Sequence, residues 1–175
     1  ERMCRNFHED FGLNVRVFRF HNVYGPFGTW VGGREKAPAA LCRKVIEAAD
    51  TGNHEIEIWG DGEQTRSFMY INDCVGGMAR LMESGHSEPL NLGRAELVSI
   101  NGLLEIIEGI AGIKLNRNYD LSKPQGVRGR NSDNTLIRET LGWEPEVNLA
   151  TGLEKTYHWI KEQYERRKRG EVVVD

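Results

Sequence analysis

The sequence predicts a mixed α/β fold, and three patterns carry that reading. Asn14–Phe20 and Glu55–Trp59 alternate apolar with polar residues and are rich in Val, Ile and Phe, as strands are. Longer stretches space their apolar residues three and four apart, most clearly Ile100, Leu103, Leu104, Ile106, Ile107 and Ile110. Glycines interrupt these runs at Gly12, Gly60-Asp61-Gly62, Gly93 and Gly142, where elements are expected to end.

In chain order, residues 1–10 read as the tail of a helix that stops at Gly12, so the chain is expected to begin inside an element. Asn14–Phe20 reads as a buried strand. Asn22–Pro38, rich in glycine and aromatic residues, reads as one long loop with a functional role. A helix follows over 38–50, with Pro38 at a permitted first-turn position. Glu55–Trp59 and Ser67–Ile71 read as strands. Asn72 or Asp73 is expected to cap a helix to Glu83. After a strand at Pro89–Leu92, Ser99 caps a helix through Ile110. Lys114–Tyr119 reads as a weak strand. Ser132 is expected to cap a helix through Leu141, and Thr151 to open the last helix, which runs to about Arg169. The run Arg166-Arg167-Lys168-Arg169 reads as a solvated helix end that offsets the macrodipole. The tail Glu171–Asp175 is expected to fray.

Composition narrows the function classes. The chain has 175 residues, 39% of them hydrophobic and 28% charged, which suits one folded core and excludes intrinsic disorder. A net charge of −3 gives no overall pull toward nucleic acid or membrane, and neither is expected as a partner. Cys4, Cys42 and Cys74 are widely spaced and odd in number, which fits a reducing cytoplasmic setting and no metal site. Cys42 lies on an apolar helical stretch and is expected to be buried.

Four segments hold more polar and aromatic residues than packing needs. In Arg19-Phe20-His21-Asn22-Val23-Tyr24-Gly25-Pro26 a strand ends in Asn22, whose amide suits a phosphate or hydroxyl, or simply caps the turn. Phe27–Pro38 brings Glu35 and Lys36 to a helix entrance. The helix dipole accounts for Glu35. A cation at Lys36 is electrostatically unfavourable there, which marks it as a candidate proton shuttle unless it is merely solvated. In Trp59–Phe68, Arg66 is a fork for phosphate or half of a surface ion pair. In Gly126–Asp133, Arg128 and Arg130 precede a helix, a setting that suits an anion. Three arginine-bearing loops together suggest a diphosphate ligand.

These segments resemble the extended short-chain dehydrogenase/reductase superfamily of NAD-dependent nucleotide-sugar epimerases and dehydratases. The resemblance rests on R-x-x-N-V-Y-G-P from Arg19, on W-G-D-G-x-Q-T-R-S-F-x-Y-I-x-D from Trp59 and on V-R-G-R from Val127. The spelling G-G-R-E-K-A-P at 32–38, G-V-R-G-R-N-S-D-N at 126–134 and G-L-x-x-T-Y-x-W-I-K-E-Q at 152–163 is similar to the GDP-mannose 3,5-epimerase family within it.

The resemblance implies the C-terminal part of a Rossmann-like fold, ending near residue 25, plus a smaller α/β substrate-binding domain over 26–175 with some segments returning to the Rossmann sheet. It implies NAD as cofactor, a GDP-sugar as substrate, and a homodimer when full length. In that family the sugar is transiently oxidised at C4, protons are exchanged at C3 and C5, and C4 is then reduced. The acid/base lysine falls on Lys36. The substrate contacts fall on Asn22, Glu35, Lys36, Lys44, Gln64, Thr65, Arg66 and Arg130, and Arg128 is added as a phosphate contact on charge alone. The family's partner cysteine matches none of Cys4, Cys42 and Cys74. The Gly-rich dinucleotide fingerprint and the Tyr-x-x-x-Lys dyad do not occur here and are expected before Glu1. Val31 replaces a lysine, and four residues are added around Asp50–His54. Two other readings stand beside this one: a different nucleotide-sugar 4-epimerase or 4,6-dehydratase, and a non-catalytic sugar-nucleotide-binding module. A partial chain is expected to leave Asn14–Phe20 with an exposed edge and face.

Overall fold

The computed structural model describes residues 1–124 and 126–174, and helices and short strands alternate through it. Helix α1 (Arg2–Phe11) ends at Gly12, whose left-handed φ of 66° lets its N–H reach the His8 carbonyl. Strand β1 (Phe18–Phe20) runs parallel to β6 (Leu90–Leu92), and β2 (Asn22–Tyr24) runs parallel to β5 (Phe68–Tyr70). Strand β3 (Glu55–Trp59) pairs in parallel with β8 (Asn116–Asp120). The two-residue β4 (Thr65–Arg66) lies between β7 (Val98–Ser99) and β9 (Gly129–Arg130). The remaining helices are α2 (Ala37–Thr51), α3 (Ile71–Glu83), α4 (Ile100–Ala111), α5 (Thr135–Leu141) and α6 (Leu149–Lys168).

Side chains alternate across a strand, and β2 and β5 use both faces. Tyr24, Phe68 and Tyr70 enter a large core built with α2, β3, α4 and α6. Val23, just before Tyr24, and Met69, between Phe68 and Tyr70, enter a second core with Phe18, Leu81, Leu90, Leu92 and Ile137. The β2–β5 pair is therefore a wall shared by two cores. Cys42 is fully buried in the larger one, as its apolar neighbours predict.

Several expected boundaries shift. The strand expected over Asn14–Phe20 is confined to Phe18–Phe20 and is not buried: Phe20 is 48% exposed, because β1 meets β6 on one side and no second strand among the described residues. The expected loop from Asn22 begins as strand β2. Neither Asn72 nor Asp73 caps α3. Strand β5 runs straight into it through Tyr70, and the Asp73 carboxylate accepts the Val147 N–H at 2.8 Å instead. Asn134, not Ser132, is the N-cap of α5, and Ser132 is buried. Helix α6 opens at Leu149, two residues before Thr151, because the Asn148 side chain accepts the Thr151 N–H at 2.8 Å.

The C-terminal basic run is a solvated helix end, as expected, with Arg167, Lys168 and Arg169 exposed, and it also carries ion pairs. Lys168 bonds Asp50 at 2.7 Å, and Arg166 and Arg169 both bond Glu171. Over its described part the tail, expected to fray, makes contacts: Val172 and Val174 carbonyls accept from Arg166 and Trp30, and the Val174 N–H donates to Gln163. Asp175 lies outside the described residues. Among those residues no helix is long and apolar enough to cross a membrane.

Candidate functional site

A cavity of about 530 Å³ opens where the β2–α2 loop, β3 and β4 converge. Asn22, Glu35, Lys36, Lys44, Gln64 and Arg66 line it together. Asn22 is not a turn cap. It opens β2, and its amide donates to the Ser67 carbonyl at 3.1 Å. Lys36 is the N-cap of α2, exposed, with its carbonyl accepting the Ala40 N–H. One face of α2 carries Lys44, whose ammonium donates to the Glu57 carbonyl at 2.9 Å.

Glu35 precedes the N-cap, so the dipole does not account for it. Its carboxylate, 6% exposed, accepts the Gly33 N–H at 2.7 Å and the Arg43 guanidinium at 2.9 Å. Burial alone pushes its carboxyl up; the backbone N–H bonds and Arg43 outweigh that and hold it below the usual carboxylate range. Gln64 is buried, with its amide nitrogen on the Trp59 carbonyl and its Oε1 without a partner among the described residues. A buried acceptor in a cavity wall is a place for a ligand donor. The Arg66 guanidinium reaches the Thr65 carbonyl at 2.7 Å.

The other residues singled out in the sequence lie outside this cavity. Arg130 borders an adjoining hollow of about 420 Å³ with Phe20 and His21, and Asn22 and Lys36 belong to both spaces. Burial and the Arg130 charge hold the His21 imidazole below its ordinary range, so it stays neutral near pH 7. Thr65 is taken up by the β4 ladder. Arg128, expected to meet phosphate, instead pairs with Asp61 at 2.9 Å on the surface. Cys42 and Cys74 do not line the cavity; burial pushes the Cys42 thiol up to about 12 and raises that of Cys74.

Two cavity residues escaped the sequence reading. Trp59 is 50% exposed, its indole N–H held by the Glu57 carboxylate at 2.8 Å and its ring faced by the Lys123 ammonium. The signal was present: a large aromatic on the outward side of an alternating strand. Arg43 bonds Glu35, Glu47 and the Trp30 carbonyl at once; its i,i+4 spacing to Glu47 was legible, whereas the other two contacts depend on the loop's path.

The profile of the NAD dependent epimerase/dehydratase family matches residues 1–93, more than half of the chain. The chain belongs to this family. Among curated relatives, GDP-mannose 3,5-epimerase 1 of Oryza sativa subsp. indica is 54% identical over 168 residues, which is 96% of this chain and 43% of the relative. The dTDP-4-dehydro-6-deoxy-D-allose reductase of Streptomyces bikiniensis is 38% identical over 161 residues, 92% of this chain and 48% of that protein. The chain thus spans less than half the length of both relatives. The crystal structure of UDP-glucose 4-epimerase from Thermotoga maritima with UDP-glucose superposes with a TM-score of 0.83 at 29% identity, covering 93% of this chain and 51% of that one. The mixed α/β architecture is accordingly that of about half of a Rossmann-like epimerase of this family.

NAD dependence is a family property. A dinucleotide cradle needs a glycine-rich turn between a strand and a helix N-terminus. Among the described residues, β5 and β7 enter α3 and α4 directly, with no such turn. Neither of those two junctions offers such a cradle, and no residue is assigned to holding the dinucleotide.

Proposed function

We propose that this chain is the substrate-binding part of a longer GDP-mannose 3,5-epimerase, and that Lys36 moves protons at the sugar. The observation that carries the reading is the gathering of Asn22, Glu35, Lys36, Lys44, Gln64 and Arg66 around one cavity. Sequence positions far apart converge on the residues that the family resemblance implies. The identity to the rice enzyme supports GDP-mannose over other nucleotide sugars.

The chain's own groups divide the work. Lys44 and Arg66 offset the diphosphate charge, with Arg130 joining from the adjoining hollow. Trp59 offers a flat face for the base, and Gln64 Oε1 accepts from a base or ribose donor. The Asn22 amide orients a sugar hydroxyl. Epimerisation removes a proton from a sugar carbon and returns one on the opposite face. Lys36 Nζ, at the boundary of the two hollows, is the titratable group placed for one of those transfers. The acidity of the C–H bond comes from cofactor chemistry outside these residues.

The two cores support a division in which residues 1–25 close a dinucleotide-binding domain and 26–175 form mainly the substrate domain, with α3, β6 and α5 returning to the first. The half-exposed Phe20 is the surface expected where a sheet continues with further strands. The whole protein is read as a cytoplasmic homodimer, a reading supported by the uncovered apolar face of α1, where Met3, Phe7 and Phe11 are exposed.

Lys36→Ala tests the assignment in the complete polypeptide that contains this chain. Deuterium uptake from D₂O at C3 and C5 of GDP-mannose is expected to vanish while GDP-mannose binding by calorimetry persists. Undiminished uptake sinks the role of Lys36. Equal or tighter binding of UDP-glucose sinks the substrate.

A further inference from the structure

Lys36 makes no side-chain hydrogen bond shorter than 3.5 Å to a described residue, and the backbone before it is permissive: Gly32 and Gly33 have φ values of 96° and 84°, and nothing lies within 4 Å of where their Cβ atoms would stand. A glycine approach does not by itself fix a group that must meet a C–H bond in a defined direction. Something else must fix the corner.

Arg43 does. Its guanidinium uses three separate nitrogens: Nε donates to the Trp30 carbonyl at 3.2 Å, one terminal nitrogen to Glu47, and the other to Glu35 Oε1 at 2.9 Å. Arg43 and Glu35 side chains are 19% and 6% exposed, so the pair is shielded from screening. The clamp therefore grips the glycine-bearing stretch at both ends, Trp30 before the glycines and Glu35 after them, and the next residue is Lys36. Trp30 is itself anchored from behind. Its buried indole donates to the Val174 carbonyl at 2.6 Å, and Val174 is tied to Gln163 of α6.

We infer that Arg43 is the positioning residue for Lys36, and that the C-terminal segment Glu171–Val174, acting through Trp30, is the outer part of the same brace. The inference rests on the proposed proton-transfer role of Lys36. A planar fork is needed here because three acceptors lie in different directions; a lysine ammonium at position 43 satisfies one or two of them.

The test uses the complete polypeptide and three measurements on each variant: GDP-mannose affinity, melting temperature and deuterium uptake at the sugar C–H. Arg43→Gln is expected to slow uptake at least tenfold while affinity changes less than threefold. Arg43→Lys is expected to fall between it and the parent. Glu47→Gln, which removes only the outer, more exposed acceptor, is expected to leave uptake within twofold. Should Arg43→Gln not fold, removal of residues 172–175 carries the same question, with uptake slowed about threefold at unchanged affinity. Uptake within twofold of the parent in both the Arg43 and tail variants overturns the brace. So does a loss of affinity in step with uptake, which marks a merely structural role. No uptake in the parent protein overturns the epimerase reading instead, so the two failures are distinguishable.

Discussion

At the scale of single residues, Glu108 shows how far this fold goes to keep a buried carboxylate charged. Its side chain is 3% exposed and meets Lys114 at 2.8 Å, Arg117 at 3.3 Å and the Leu115 N–H at 2.9 Å. Burial alone pushes the carboxyl up; Lys114, the Leu115 N–H and Arg117 outweigh it and hold the group below its ordinary 4.5. A depressed folded value stabilises the protein fully above the unfolded value, and that stabilisation is lost as pH falls below about 4.5 through the folded value. Glu108→Gln is expected to lose about 1.5–3 kcal/mol at pH 7, the scale of hydrogen bonds to charged groups. Urea titrations from pH 7 to pH 3 are expected to show parent and variant converging as the solution acidifies; a constant gap would refute the linkage. Glu35 follows the same sign. Lys36 was legible in the sequence because its charge opposes a helix dipole, a local argument. The partners of Glu35 and Arg128 were not, since each is chosen by a loop's path through space rather than by spacing along the chain.

At the scale of elements, the tightest constraint is the approach of α6 to the β2–β5 wall. Gly152, in the first turn of α6, leaves no room for a side chain: a Cβ there would stand 2.1 Å from Tyr24 Oη and 3.0 Å from a Tyr70 ring carbon. Gly152→Ala is expected to destabilise by about 1–3 kcal/mol through overpacking, although alanine is the better helix former. Gly109 in α4 is the counterpart, with nothing within 4 Å, and Gly109→Ala is expected to stabilise by about 0.5–1 kcal/mol. Chemical denaturation of both variants checks the opposite signs. Helix α4 was readable nearly to the residue because its apolar stripe spans three turns and Ser99 does cap it, accepting the Gly102 N–H at 3.0 Å. Strand β2 was not, because three residues are too few to show a period and glycine, proline and aromatics follow at once. The cap expected for α3 failed because the helix opens at Ile71, so the N-cap position falls on Tyr70, whose side chain makes no capping bond.

At the scale of the whole molecule, α1 stands apart. It contributes no buried residue, and exposed ion pairs of Arg5 with Glu88 and Arg19 with Glu1 hold it. Solvent screens such exposed pairs, so they hold the helix weakly, and a ten-residue helix is marginal without packing. Hydrogen exchange at α1 amides is expected to be fast in dilute solution and to slow as concentration rises, as covering by a second copy requires. Fast exchange independent of concentration would count against the homodimer, while α2 and α4 are expected to exchange only on global unfolding. The α/β class, the order of elements and most of the cavity were legible in the sequence, because each rests on periodicity or on motifs a few residues long. The existence of two cores was not, since it depends on one strand pair serving both. That shared wall bears on how sequences of this kind can vary in length. One residue inserted into Asn22–Tyr24 or Phe68–Tyr70 would turn every following side chain to the opposite face, sending Val23 or Met69 out of one core and a tyrosine out of the other. The exposed turn at Asp50–Glu55, by contrast, borders neither core. Insertions and deletions are therefore expected to be tolerated where α2 hands over to β3, and excluded from the wall that two cores lean on.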